Sequence, residues 1–202
     1  MVSERARKLH FSSIVVDTHS DSLARSVDDG EDLGRATGRG HMDLPRMRVG
    51  HQTAQFFAAW VDPGAHPLEK SVRRTLGYID AMNRVCAKNA DQIELARTAS
   101  DIRRLKAVGK LAAVLCIEGG HSIDDDLGVL RVYHELGVRY MTLTWNNTNN
   151  WADGIMDEER HNGLTEFGRD VIQEMNRLGM MVDVSHASVR TFWDVIEATS
   201  KQ

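Results

Sequence analysis

The sequence predicts an α/β fold with a parallel sheet, and three observations carry that prediction. Apolar runs of strand length alternate with segments of helical period. Gly137 and Gly179 each stand at the end of a helical segment, where glycine closes helices. Polar residues capable of chemistry fall where the strands end: His19, Asp21, Glu118, Trp145 and His186. In parallel α/β folds the C-terminal ends of the strands carry the chemistry. Periodicity alone leaves open whether the sheet is doubly wound or closed into a barrel.

The elements follow in chain order. Ile14 to Val16 is β-branched and apolar and reads as the end of a buried strand. It runs into Val15-Val16-Asp17-Thr18-His19-Ser20-Asp21. Asp28 to Gly40 is polar and Gly-rich and reads as a loop. Gln52 to Val61 reads as a second strand, stopped by Asp62-Pro63-Gly64. Leu68 to Lys88 places Val72, Leu76, Ile79, Met82, Val85 and Cys86 at helical spacing. Ser100 to Val108 reads as a shorter helix with Ser100 as its cap. Leu111 to Ile117 is continuously apolar, as a strand buried on both faces is, and it ends at Glu118-Gly119-Gly120. Leu127 to Leu136 is helical. Val138 to Thr144 is a strand, Leu164 to Leu178 a helix, Met180 to Val184 a strand and Ser188 to Ala198 a helix. The total is five strands in a single 1–202 domain.

Composition bounds the function. The 202 residues are 42% hydrophobic and 27% charged, with a net charge of −4, and the pI is near 6.1. That balance gives no basic footprint for nucleic acid. No apolar run approaches the roughly 18 residues of a membrane span. The N-terminal residues Met1-Val2-Ser3-Glu4-Arg5 lead into a charged segment without an apolar signal core. Two cysteines do not make a disulfide framework. Cys116, inside an apolar run, reads as a buried thiol. A cytoplasmic, reducing setting is the expectation. Neither G-x-G-x-x-G after the first strand nor G-x-x-x-x-G-K occurs, so nucleotide binding has no motif.

His19 and Asp21 stand two apart. In an extended chain such residues share a face roughly 6–7 Å apart, so an imidazole nitrogen and a carboxylate oxygen can converge on one ion. The structural alternative is a strand ending in a polar turn, with Asp21 as a helix cap. Glu118 could equally cap the segment after it, and His186 could be a satisfied histidine near Ser188. Several such residues at one end of one sheet favour a metal site. Mixed carboxylate and imidazole donors suit zinc, manganese or iron.

Seven segments then fall in order: V-D-T-H-S-D, G-H-M-D-L-P-R, Q-F-F-A-A-W, C-I-E-G-G, L-T-W-N-N-T-N-N-W-A-D-G, G-L-T-E-F-G and V-D-V-S-H. Together they resemble the zinc-dependent membrane (renal) dipeptidase family from about Ile14 onward. The resemblance implies a (β/α)8 TIM-barrel fold with two zinc ions at its C-terminal face, hydrolysing dipeptides with a metal-bridging water as nucleophile. It implies that His19 and Asp21 hold one zinc, that Glu118 bridges both and is catalytic, and that His186 holds the other. It places Trp145 and Asn146 at the substrate. The family usually has a histidine where Trp145 stands, and an indole N–H donates one hydrogen bond but carries no positive charge.

A full barrel takes about 250 residues, and the reading stops after five βα units. The resemblance implies that a further zinc histidine, a substrate arginine and a proton-handling aspartate lie on later strands, with Ser200-Lys201-Gln202 where a sixth strand would begin. The expectation is therefore an incomplete barrel. It should hold one zinc firmly through His19, Asp21 and Glu118 and a second weakly, with His121 in reserve. An open arc should associate with a second copy or with a completing C-terminal segment. The alternatives are a non-catalytic remnant binding one metal, or another barrel metallohydrolase of amidohydrolase type. The latter usually opens with H-x-H, not H-x-D.

Overall fold

The computed structural model describes residues 2–66 and 68–200. Lys201 and Gln202, where the sequence placed the start of a further strand, lie outside the described residues. The elements are α1 (Glu4–Ser12), β1 (Val16–Asp17), α2 (Leu23–Asp28), α3 (Leu44–Val49), β2 (Ala54–Trp60), α4 (Leu68–Lys88), β3 (Ile93–Leu95), α5 (Ala99–Ala107), β4 (Leu111–Glu118), α6 (Leu127–Leu136), β5 (Val138–Thr142), α7 (Glu166–Leu178), β6 (Met181–Asp183) and α8 (Val189–Ala198). A 3₁₀ turn, Gly120–Ile123, follows β4.

The chain falls into two compact units. The first comprises the residues up to Ala58 together with Gly77–Leu115, the second Ala59–Leu76 together with the residues from Cys116 onward. The strands β2 and β4 and the helix α4 each pass from one unit into the other.

In the first unit β1 pairs with β2 in parallel, Val16 opposite Ala54 and Asp17 opposite Gln55. β3 pairs with the start of β4 in parallel, Ile93 opposite Leu111. β4 is buried at all eight positions, as its apolar run requires, and β2 at all but its last, the polar Gln55 included. Of the α4 residues read at helical spacing, Ile79, Met82 and Val85 are buried, as is Tyr78, whereas Leu76 is 39% exposed.

In the second unit β5 pairs with β6 in parallel, Tyr140 opposite Met181. The αL glycines are as expected: Gly137 (φ 113°) ends α6 and Gly179 (φ 75°) ends α7. Each accepts a conformation that an L side chain resists. Ser188 caps α8 by accepting from Thr191 N at 3.1 Å, and Thr165 caps α7 by accepting from Gly168 N at 3.1 Å.

Three local expectations need correction. The strand Ile14–Val16 is not buried: Ile14 is 43% and Val16 42% exposed. β1 is two residues long and has β2 as its one partner strand among the described strands, so it behaves as an edge. β3 brings the strands to six. At three residues, with only its first position buried, it gives too short a pattern to register as a period. The helix α5 starts one residue earlier than predicted and is capped by Thr98, not Ser100. Thr98 accepts from Asp101 N at 3.1 Å while Asp101 accepts from Thr98 N at 2.9 Å, a reciprocal capping box. The charged N-terminal segment forms α1, capped by Ser3, and buries no residue.

Candidate metal centre

The second unit holds Glu118 and His186. β4 delivers Glu118 to its C-terminal end, and two backbone bonds fasten the next residues to β5: Gly119 N to Thr142 O at 3.2 Å and Gly120 N to Leu143 O at 3.1 Å. Gly119 has φ +101°, and a Cβ there would come within 2.4 Å of the His121 ring. Only glycine satisfies both conditions. His121 itself is buried and donates through Nε2 to Val61 O at 2.8 Å. Desolvation pushes its pKa below the usual histidine range, against the opposing pull of Val61 O, Asp62 and Glu118. Its Nε2 is engaged by Val61 O, while its Nδ1 is buried without a hydrogen-bond partner.

His186 follows β6 through a turn that Asp183 organises. One Asp183 oxygen accepts from Ser185 N at 3.0 Å and Ser185 Oγ at 2.8 Å; the other accepts from Thr142 Oγ1 at 2.6 Å. His186 sits in the left-handed region at φ 63°, a conformation that costs of order 1 kcal/mol for a non-glycine residue and concentrates at functional sites. Its carbonyl accepts from Ile155 N at 2.8 Å. Its ring Nδ1 lies 3.0 Å from Asn146 Oδ1, so Nδ1 carries the proton and donates. Its Nε2 lies 3.0 Å from Glu118 Oε1. A bare Nε2 lone pair facing a carboxylate at that distance is repulsive. A proton or a cation between the two atoms satisfies the contact. The expected pairing of His186 with Ser188 does not occur, since Ser188 caps α8. Nor does Glu118 cap the following turn, whose cap position is Gly119.

Trp60, at the end of β2, and Trp145, three residues beyond β5, both half-buried, meet with ring centroids 5.1 Å apart at 60°. Asn146, which the resemblance places at the substrate, holds His186 Nδ1 through its Oδ1.

Sequence reasoning missed two buried organisers of this unit, Asn149 and Asp153. Asn149 Oδ1 accepts from Trp151 N at 3.0 Å and Ala152 N at 2.9 Å, and its Nδ2 donates to Leu143 O at 2.9 Å. The Asp153 carboxylate accepts from Arg160 N at 2.8 Å and Gly163 N at 2.9 Å, and its carbonyl accepts from Ser188 N at 2.9 Å. They shape the long connection between β5 and α7. The available signal was the density of Asn, Asp and Gly in N-N-T-N-N-W-A-D-G, a loop able to satisfy its own backbone.

The first unit holds His19 and Asp21. Asp17 accepts from His19 N at 3.0 Å, and Ser20 O accepts from Ala58 N at 2.9 Å, which fixes the backbone around His19 beside β2. His19 Nε2 lies 3.4 Å from Asp21 Oδ1, and the two side chains are 37% and 58% exposed. Asp21 does not cap α2: the cap position is Ser22, and no side-chain cap bond forms. The capping alternative for Asp21 therefore falls away. Neither cysteine competes as a reactive group. Cys116 is fully buried, and burial pushes the Cys86 thiol up to about 11.

Imidazole and carboxylate pairs at the C-terminal ends of parallel strands mark the class of metal-dependent α/β-barrel hydrolases. The chain belongs to the membrane dipeptidase family, peptidase family M19, whose model matches residues 3–201. It is 42% identical to Dipeptidase 3 of Mus musculus over 155 residues, covering 74% of this chain and 30% of that protein. Among solved structures it is similar to dipeptidase AC, a metallopeptidase of the same family (TM-score 0.83, 28% identity, 92% of this chain and 60% of that one). A metallopeptidase from Rhodobacter sphaeroides, solved with a phosphinate mimic of the dipeptide L-Ala-D-Ala, is similar too (TM-score 0.83, 26% identity, 93% of this chain and 62% of that one). The fold class is thus α/β of the TIM-barrel type, with part of the barrel present. The chain spans about a third of the length of the curated relative it matches.

Proposed function

We propose that this chain supplies the N-terminal, metal-binding part of a zinc-dependent dipeptidase. The observation that carries the reading is His186, with Nδ1 committed to Asn146 and Nε2 facing the Glu118 carboxylate at 3.0 Å. His19, Asp21 and Glu118 each offer one ligand atom of a type that suits a divalent ion. In this reading His19 and Asp21 serve one ion, Glu118 is shared and His186 serves the other. When bound, the ions supply Lewis acidity that activates water and polarises the scissile carbonyl.

The protein's own groups do the rest. Asn146 fixes the His186 tautomer, which leaves Nε2 as the ligating atom. Gly119 and the two bonds to β5 hold Glu118 in place. Trp145 offers the substrate an uncharged indole. The printed description of the Rhodobacter structure supports a dipeptide-sized substrate; the two-imidazole, two-carboxylate donor set suits zinc, manganese or iron, and zinc is the ion the family resemblance implies. No helix among the described residues is long and apolar enough to cross a membrane. We retain cytoplasmic location as part of this proposal.

Titration calorimetry of the metal-free chain with Zn²⁺ tests the reading. The expected result is tight uptake nearer one ion than two, weakened at least tenfold in Glu118→Ala. Zinc-dependent hydrolysis of a neutral dipeptide, lost in the same variant, is the expected activity of the polypeptide that carries this segment. A wild-type chain that takes up no zinc would overturn it.

A further inference from the structure

We propose that Trp60 and Trp145 form an aromatic subsite that selects dipeptides with an aromatic side chain; this rests on the dipeptidase reading above. Both indoles belong to the second unit, at the strand ends that also carry Glu118 and His186. Trp145 is bonded directly to Asn146, whose Oδ1 holds His186 Nδ1 at 3.0 Å. The aromatic surface is therefore one residue removed from the group that orients the proposed ligand.

The geometry suits a third ring. With centroids 5.1 Å apart and planes at 60°, the two indoles are neither stacked nor sealed against each other. Their tilted planes present two differently oriented ring faces. A phenyl or indole ring placed there can lie over one indole and present its edge to the other, the two arrangements aromatic quadrupoles favour. Both residues are only half-buried, whereas Trp151 in the same unit is 1% exposed and packs as core. An indole pair that stays partly exposed beside polar groups retains some apolar area for a ligand to cover. Neither indole carries charge, so a carboxylate-bearing side chain finds no counter-ion from this pair.

The test is calorimetric binding of Ala-Ala, Ala-Phe, Phe-Ala, Ala-Lys and Ala-Glu to the intact 202-residue chain with Zn²⁺ present. Binding needs no turnover. One of the two phenylalanine dipeptides should bind about tenfold more tightly than Ala-Ala, and Ala-Glu no better than Ala-Ala. Trp145→His and Trp60→Leu should each shrink the Phe-to-Ala ratio to about threefold or less, whereas Trp145→Phe should keep most of it. Circular dichroism checks that each variant is folded. An unchanged ratio in both folded variants, or Ala-Lys binding as tightly as the better phenylalanine dipeptide, would overturn the proposal.

N-Acetylphenylalanine amide, which has no free termini, separates this proposal from the reading beneath it. If no dipeptide binds but this probe does, and its binding is lost in the two tryptophan variants, the subsite stands and the dipeptidase reading fails. If neither dipeptides nor the probe bind, the subsite fails.

Discussion

His186 and His19 play similar parts in the proposed metal centre, but their surroundings differ. His186 is fixed by Asn146 at Nδ1, by Ile155 N at its carbonyl and by a turn that Asp183 organises, and it faces a carboxylate that is 9% exposed. His19 follows a two-residue edge strand, and its neighbour Asp21 is 58% exposed at 3.4 Å. The second unit fixes His186 by side-chain hydrogen bonds and faces it with a buried carboxylate; the two histidines themselves are similarly exposed, 31% and 37%. The first has placed a backbone and left the Asp21 carboxylate largely in water. A buried carboxylate gains electrostatic strength from low dielectric and is costly if left unpaired. An exposed pair costs little to keep and gains little until an ion arrives.

The comparison can be broken or sharpened by substitution. The largest effect is expected for Glu118→Ala. It removes the buried carboxylate facing His186 and should lower zinc affinity on the order of 10²-fold or more, read by competition with a chelator. A change of less than about threefold would contradict the role given to Glu118. Asn146→Ala comes next. It frees the His186 ring and should cost about 10–100-fold in affinity, with circular dichroism unaltered.

The firm carboxylate of the first unit is Asp43, outside the metal centre. Burial opposes its ionisation, yet the Arg46 guanidinium and the Thr37 and Arg46 backbone N–H groups hold its pKa at about 2. A depressed carboxylate pKa contributes stability above its unfolded value of 3.8 and loses it as pH falls toward 2. Asp43→Asn should therefore cost about 2 kcal/mol at pH 7 and flatten the acid limb of stability between pH 4 and 2. An acid limb unchanged by the substitution would count against this account. Asp21→Asn should have the smallest effect on stability, within about 0.5 kcal/mol, because the side chain is mostly in water. The same change should still weaken zinc binding measurably. A large loss of stability would mean that Asp21 is structural.

The residues proposed as ligands were legible because chemistry at strand ends has a sequence pattern: Glu118 terminates an apolar run, and His186 follows V-D-V-S. What held them was not legible. The bond between Asn146 and His186 spans 40 residues, and nothing in either neighbourhood announces it. The turn at Gly119 depends on the position of the His121 ring, which depends in turn on Val61, 60 residues away in sequence. The exposure of Val16 was misread for a related reason. Its composition says strand, but burial depends on what lies on either side, and β1 has one described partner.

The sequence by itself determined the βα alternation, the helix ends at Gly137 and Gly179, and the residue types at the strand ends. These are local: period, cap and backbone permissiveness act within a few residues. Tertiary structure alone decided that Asn146 meets His186, that His121 is buried against Val61 O, that Thr98 and not Ser100 caps α5, and that Trp145 finds Trp60. The cap turned on which hydroxyl the chain geometry offered to Asp101. The other three are contacts between side chains far apart in sequence, made when strands pair and loops close, and no local pattern encodes which partner arrives.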